Sequence, residues 1–355
     1  MKKIFAINLG ATSTKVAYYE DENCIVQESI PFPPDGAGEF ETLADQAPVR
    51  AAAIQDCAAR HGIDFSDLDA FVSRGGLTRP VPGGVIEINE AMVDQALSGE
   101  FGIHPCGIGV KIAYDLTRDT KALAIVVDSP VTDELEDVAR FSGLADVKRS
   151  PKCQALNAKA MAKDYARKQG KGLEDVNLVI ATMGGGTSVV ACRGGRIIDT
   201  NDGVLGEGPF ASNRCGGVPL GPIIEMCFSG NFSYEEMMYH INGEAGLISY
   251  LGTGDAREIE QRIAEGDTYA EAVLDAFCYQ VAKAIGEMAC ALEGKVDVVA
   301  LSGGMAYSDF IVEHISRRVA FIAPVLVYPG GDEMAALWLG AWEALNGETP
   351  VQQFQ

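Results

Sequence analysis

Apolar positions along the chain follow two periods, short continuous runs closed by glycine and longer stretches repeating every three to four residues. The first kind reads as buried strand and the second as amphipathic helix. In "AINLGATSTKVAYYE" two strand-like runs flank a glycine turn, and the chain continues as strands through "DENCIVQESI". Residues 176–198, "VNLVIATMGGGTSVVACRGGRII", repeat the scheme: strand, Gly184-Gly185-Gly186 turn, strand, Gly194-Gly195 turn, strand. Residues 296–315, "VDVVALSGGMAYSDFIVEHI", predict a buried strand, a Gly303-Gly304 turn and a helix. Phe310, Ile311 and Ile315 keep near-helical spacing in that last segment.

The long periodic stretches complete the outline. "YAEAVLDAFCYQVAKAIGEMACALEG" sets Val273, Leu274, Phe277, Val281, Ile285, Met288 and Leu292 on one stripe, which predicts a helix packed on a core. "DEMAALWLGAWEALNG", residues 332–347, predicts another, stopped by Gly347. "ALNAKAMAKDYARKQGKG" predicts a third before the second hairpin, and "PVTDELEDVARF" reads as a helix that Asp128 could cap. A chain of 355 residues favours two domains over one core. The expected division is 1–170 and 171–331, with the 332–347 helix packing back on the first domain. Two units that each open with strand, glycine turn and strand suggest a duplication.

Charge narrows the partners. Fifty acidic residues against 28 basic give a net charge of −22, which argues against nucleic acid and anionic membrane as partners. An anionic ligand then needs local positive charge, so each Lys or Arg beside a glycine turn is a candidate. Nine cysteines are scattered from Cys24 to Cys290 without a CxxC pair. They read as small buried hydrophobes in a reducing compartment rather than a disulfide or metal framework. The polar break at Asn8 interrupts any signal-peptide core, and no apolar run has membrane-spanning length. The expectation is a soluble, cytoplasmic protein.

The glycine turns carry the chemistry. Each can present backbone N–H groups to phosphate with no Cβ in the way. A Walker A loop would need GxxxxGK[ST] leading into a helix, whereas Lys15 leads into strands. A GxGxxG fingerprint after the first strand is missing, which disfavours a Rossmann dinucleotide site. Three glycine turns at the ends of buried-looking strands point to nucleotide binding of another kind.

The order of these turns resembles the acetate and sugar kinase/Hsp70/actin superfamily. The text between them is similar to the acetate kinase family and its butyrate kinase branch. The resemblance rests on "INLGATSTK", "SRGGLTRPVPGG", "VDSPVTDELEDVARFSG", "ALNAKAMA", "ATMGGGTSV", "GEGPFASNRCGGVP", "CFSG", "LSGGMAYSDF" and "APVLVYPGGDEMAAL", in family order over nearly the whole chain. It implies an α/β fold of two ribonuclease-H-like domains, mixed sheets flanked by helices, with the active site in the interdomain cleft. It also implies transfer of phosphate between ATP and a short-chain linear or branched carboxylate, Mg²⁺ as cofactor, and a homodimer or higher homo-oligomer. A carboxylate is ionised at neutral pH and needs no general base, so the protein's task is to align two anions and neutralise charge.

By the same resemblance, Arg74 and Arg214 hold the acid and the transferring phosphoryl group, and His104 lies near them. Asp128 is assigned to the metal's water shell or to orienting an arginine, and Glu333 and Asn8 to the metal. Asn8, Thr12, Ser13 and Lys15 form the first phosphate turn. Thr182 with Gly184, Gly185 and Gly186 forms the second, while Gly303 and Gly304 let adenosine approach the backbone. His61, His240 and His314 are left as surface or structural residues. Ala11 replaces a family hydroxyl and Thr182 a family histidine. These two favour an alternative, a catalytically weak paralogue that binds nucleotide or acyl phosphate in a regulatory role.

Overall fold

In the computed structural model, which describes residues 1–355 except 11, 34–39, 41, 43, 103 and 205, the chain divides into two units. The first comprises 1–133, 155–160 and 332–355, and the second 134–154 and 161–331. Ala11 therefore lies outside the described residues. In chain order the first unit is built from β1 (Lys3–Leu9), β2 (Ser13–Glu20), β3 (Asn23–Pro31), α1 (Gln46–Arg60), β4 (Ala70–Ser73), β5 (Val85–Glu87), α2 (Glu90–Ser98), α3 (Cys106–Thr117) and β6 (Leu123–Val127). Helix α4 (Ala155–Gln169) leads to β7 (Asn177–Met183), β8 (Thr187–Arg193) and β9 (Arg196–Thr200). Then follow α5 (Leu220–Phe228), α6 (Tyr234–Asn242), α7 (Gly246–Leu251), α8 (Ala256–Ala264), α9 (Thr268–Ala291), β10 (Val298–Gly303), α10 (Asp309–Val319) and β11 (Val325–Pro329). Finally α11 (Glu333–Leu345) and β12 (Val351–Gln353) return to the first unit.

Each unit is organised by a mixed sheet. The first has the order β12-β5-β6-β4-β1-β2-β3 and the second β11-β10-β7-β8-β9. Within them lies one shared pattern: a three-stranded antiparallel meander, then two strands parallel to the first. The pattern is β3-β2-β1-β4-β6 in one unit and β9-β8-β7-β10-β11 in the other. The repeat read from the glycine hairpins is thus a repeat of a five-strand topology, to which β5 and β12 are added in the first unit.

Burial explains why the strands read as continuous apolar runs. Along β1, Phe5, Ile7 and Leu9 enter a core with Ile54 of α1 and Ile108 and Ile112 of α3. Ile4 and Ala6 point the other way, into a core with Leu337 and Ala341 of α11. A strand covered on both faces has no polar side to alternate. In the second unit all seven residues of the predicted α9 stripe are buried or packed in one core with Val179, Ala181 and Leu301 of the sheet.

Parallel pairing fixes where the turns fall. Ile7 of β1 registers with Ser73 of β4, which sets the turn after Asn8 beside Arg74. Thr182 of β7 registers with Ser302 of β10, which sets the Gly184–Gly186 turn beside Gly303. Carboxyl ends of adjacent parallel strands are where open α/β sheets present ligand-binding groups.

Three expectations are corrected. The stretch 134–154 groups with the second unit rather than the first, because it is tied to β9: Glu136 N–H donates to the Ile198 carbonyl at 3.0 Å, and Ile197 N–H to Glu134 Oε2 at 2.9 Å. Arg149 adds bonds to Asp199 at 3.0 Å and to the Thr200 carbonyl at 2.8 Å. The helix read in "PVTDELEDVARF" is not formed; only Asp137–Arg140 makes a short 3₁₀ turn, since the backbone before it is engaged with β9. Most cysteines are buried or half-buried, yet Cys24, Cys227 and Cys290 are exposed. Among the described residues no helix is long and apolar enough to cross a membrane.

Candidate functional site

In the first unit the opening turn is held from behind. Gly10 N–H closes on the Ser13 carbonyl at 2.9 Å, leaving Thr12 exposed at the tip. Beneath it lies Arg50 of α1, only 1% exposed. Its guanidinium donates to the Gly10 carbonyl at 2.9 Å, the Ser13 carbonyl at 3.3 Å and Thr14 Oγ1 at 2.9 Å. The same group stacks on Phe32, 3.6 Å from the ring centroid. Burial pushes the Arg50 pKa down to about 10, so it remains cationic at neutral pH. Across the β1–β2 ladder Asn8 is registered directly opposite Lys15. Directly opposed residues project to the same face of a sheet, so the buried amide and the exposed ammonium share one side.

Glu333 draws two predicted residues, Asn8 and Arg74, onto its carboxylate. One of its carboxylate oxygens accepts from Asn8 Nδ2 and the other pairs with Arg74 Nη1. The carboxylate is free for this because Asp332 supplies the helix cap, accepting from Ala335 N–H at 2.9 Å. Arg74 leaves β4 where the parallel register predicts, and α11 brings Glu333 from the other end of the chain.

His104 is exposed, and the Cys106 N–H donates to its Nδ1 at 3.2 Å. Lost hydration and then the Arg74 charge hold its pKa below the ordinary histidine value. The ring is neutral at pH 7 and presents Nε2–H, so it acts as a hydrogen-bond donor rather than a cation. Asp128 is buried at the end of β6 in a left-handed conformation, φ 40°, unusual for a residue with a side chain. Its carboxylate accepts from Gly84 N–H at 2.7 Å and lies 3.7 Å from the Lys159 ammonium of α4. A buried carboxylate facing a buried lysine is a paired charge, not a helix cap.

The second unit carries the other predicted cluster. The Gly184–Gly186 turn closes through Gly184 N–H to the Gly186 carbonyl at 3.0 Å, and Ser212 Oγ donates to the Gly184 carbonyl at 3.0 Å. Arg214 packs under this turn, where a Cβ at position 186 would meet both its guanidinium and, at 2.8 Å, the Gly203 backbone carbonyl, which favours glycine. Its Nη1 donates to the Gly203 carbonyl at 2.7 Å. Burial lowers its pKa, against the raising effect of Asp202, and the group stays charged. Thr182 is buried between Ser188 and Ser302 on the neighbouring strands. Gly303 adopts φ 89°, and a Cβ added there would run into the Met183 backbone carbonyl, so the place is closed to any side chain.

Gly184, Gly185, Ser212 and Gly304 line a cavity of about 710 Å³, continued by Arg257 and Tyr307. That is the size of a small-molecule site. Its lining combines glycine backbone with the Tyr307 phenol and with the Arg257 guanidinium, which is paired with Asp255 at 2.6 Å.

Asn8, Lys15, Arg74 and Glu333 thus converge in the first unit, and Gly184, Gly185, Gly186, Arg214, Gly303 and Gly304 in the second. Sequence reasoning missed Arg50, Lys159 and Ser212. Lys159 gave a faint signal, a cation inside the otherwise small-residue stretch "ALNAKAMA". Arg50 gave none, since its role depends on which helix face meets the turn.

A family model described as the acetokinase family matches residues 157–323. The "probable butyrate kinase" of Clostridium botulinum (strain Alaska E43 / Type E3) is 42% identical over 346 residues, 98% of each chain. Among solved structures, Porphyromonas gingivalis acetate kinase superposes with a TM-score of 0.81 at 16% identity, covering 97% of this chain and 100% of that one. A propionate kinase from Francisella tularensis gives 0.73 at 17% identity, covering 96% and 99%. The structural likenesses speak for the fold, and the full-length sequence likeness speaks for descent. The chain belongs to the acetokinase family and is a carboxylate kinase.

Proposed function

We propose that the chain phosphorylates a short-chain acid of about butanoate size, linear or branched, with ATP. A carboxylate oxygen attacks the γ-phosphorus in line, the bond to the β-phosphate oxygen breaks, and ADP leaves with that electron pair. The observation that carries the acyl size is the full-length likeness to the Clostridium botulinum protein. Geometry supports the division of labour. The Asn8–Lys15 turn and Arg74 offer donors and positive charge for an acid and a phosphoryl group, with His104 as a neutral donor. Gly184–Gly186, with Arg214 beneath, would cradle the nucleotide phosphates, and the cavity bounded by Gly304 and Tyr307 would take the adenosine.

Mg²⁺ fits the donors present, because Asn8 and Glu333 set an amide and a carboxylate side by side. Such a hard ion uses one or two carboxylates with phosphate oxygens and water. Bound there, it would neutralise phosphate charge. Arg74 pairs with Glu333 and Lys159 with Asp128, so the protein's own cations hold both carboxylates in place.

Trapping the acyl phosphate as hydroxamate across C2 to C6 linear and branched acids tests the assignment. The expected result is highest kcat/KM at four to five carbons. No acyl phosphate from any acid, with ATP still bound, would defeat it and favour the regulatory reading. A second expectation concerns Lys15. As an exposed strand residue it contributes little to folding. Lys15→Ala should therefore lower ATP-dependent acyl phosphate formation by about 10²-fold or more while the melting temperature barely moves. Unchanged kinetics would make the opening turn an ordinary hairpin.

A further inference from the structure

Three side chains outside both clusters meet at the distant end of α1. Cys57 and His61 lie one turn apart on that helix, and Glu28 reaches them from β3. The Cys57 thiol donates to Glu28 Oε2 at 3.4 Å, and His61 Nε2 lies 3.3 Å from the same oxygen. All three potential ligand atoms fall within 4.8 Å of one another. A tetrahedral zinc ion, with bonds of about 2.3 Å to sulfur and about 2.0–2.1 Å to nitrogen and oxygen, separates sulfur from oxygen by about 3.5 Å and nitrogen from oxygen by about 3.3 Å. The observed 3.4 Å and 3.3 Å match those two edges, and the remaining sulfur-to-nitrogen edge lies within 4.8 Å.

We infer that Glu28, Cys57 and His61 form a three-ligand binding site for Zn²⁺, with a water in the fourth position. The surroundings support it. Cys57 is fully buried, which favours an inner ligand, whereas His61 and Glu28 are part-exposed and give access from solvent. Arg60 occupies only the other Glu28 oxygen, Oε1, at 2.8 Å and leaves Oε2 to the ion. The His61 backbone is fixed as the helix cap, its N–H bonding back to the carbonyls of Cys57 and Ala58. Thiolate, carboxylate and neutral imidazole would balance the two positive charges of the metal. Because the free thiol is protonated, binding breaks its S–H bond, forms S–Zn and releases that proton to water. The ion would clamp α1 to β3, on the same helix whose Arg50 holds the opening turn about 10 Å away.

Cobalt titration of the untagged full-length chain, stripped with chelator and kept reduced, tests this. One equivalent of Co²⁺ should give a thiolate-to-cobalt charge-transfer band and intense visible bands of a four-coordinate ion, both displaced by Zn²⁺. Cys57→Ser should abolish the charge-transfer band. His61→Ala, a change at a part-exposed position that leaves the core intact, should weaken Co²⁺ binding at least about tenfold. Absence of the band in the parent protein overturns the inference. So does a band that survives Cys57→Ser, which would assign the ion to another cysteine, or binding unaffected by His61→Ala.

Discussion

Replacing Arg74 by alanine is expected to reduce kcat/KM for the acid by about 10²–10³-fold or more, the range seen when a preorganised donor to developing charge is removed. The effect has two sources. Arg74 is proposed to contact the reacting anions, and its pair with Glu333 also links α11 to the end of β4. Arg74→Lys should recover only part of the loss, because an ammonium replaces the charge but not the planar fork. A cycle with Glu333→Gln separates the contributions. If Arg74 acts partly through Glu333, the double variant should fall short of the product of the two single losses, with a coupling of about 0.5–3 kcal/mol. Strict additivity would mean that the pair is a surface contact. An Arg74→Ala enzyme with near-normal kinetics would remove this arginine from the reaction altogether.

Arg50→Ala should produce the largest loss of stability, on the order of 3–5 kcal/mol, read from urea denaturation of the first unit's signal. Two turn carbonyls and the buried Thr14 hydroxyl lose their donor at once, each an unsatisfied polar group of about 1–3 kcal/mol, partly relieved by water entering the gap. The loss of stacking on Phe32 adds to it. Arg50→Met controls for packing: it keeps an apolar stem of similar reach yet supplies no donor. Met should therefore be nearly as unstable as Ala, and both should raise the KM for ATP because Gly10, Ser13 and Thr14 lose the donor that holds them. If Met restored full stability, the guanidinium bonds would be dispensable and the turn self-supporting.

These two arginines illustrate what the chain discloses before it folds. The glycine hairpins, the α9 stripe and the α11 helix are visible in the sequence because strand and helix periods are local properties, decided by neighbours within a few residues. Arg74 was a candidate for the same reason, since a cation beside two glycines at a strand end has a local signature. The hidden relationships are those of register and of sequence separation. That Glu333 carries Asn8 and Arg74 on one carboxylate follows only from α11 packing over β1 and β4, more than 250 residues away in the chain. Likewise Arg50 is an unremarkable helical arginine until the face of α1 that meets the turn is known. His61, read from sequence as a surface or structural residue, gains its neighbours Cys57 and Glu28 by the same docking of α1 on the sheet. The segment 134–154 followed β9 rather than its sequence neighbours because strand-edge hydrogen bonds, unlike helical ones, take partners from anywhere in the chain. Sequence alone disclosed the glycine hairpins, the α9 and α11 helices and the family, but not the extended course of the chain before Asp137. Tertiary packing decided which polar groups share a partner, because that depends on long-range contacts that no local pattern encodes.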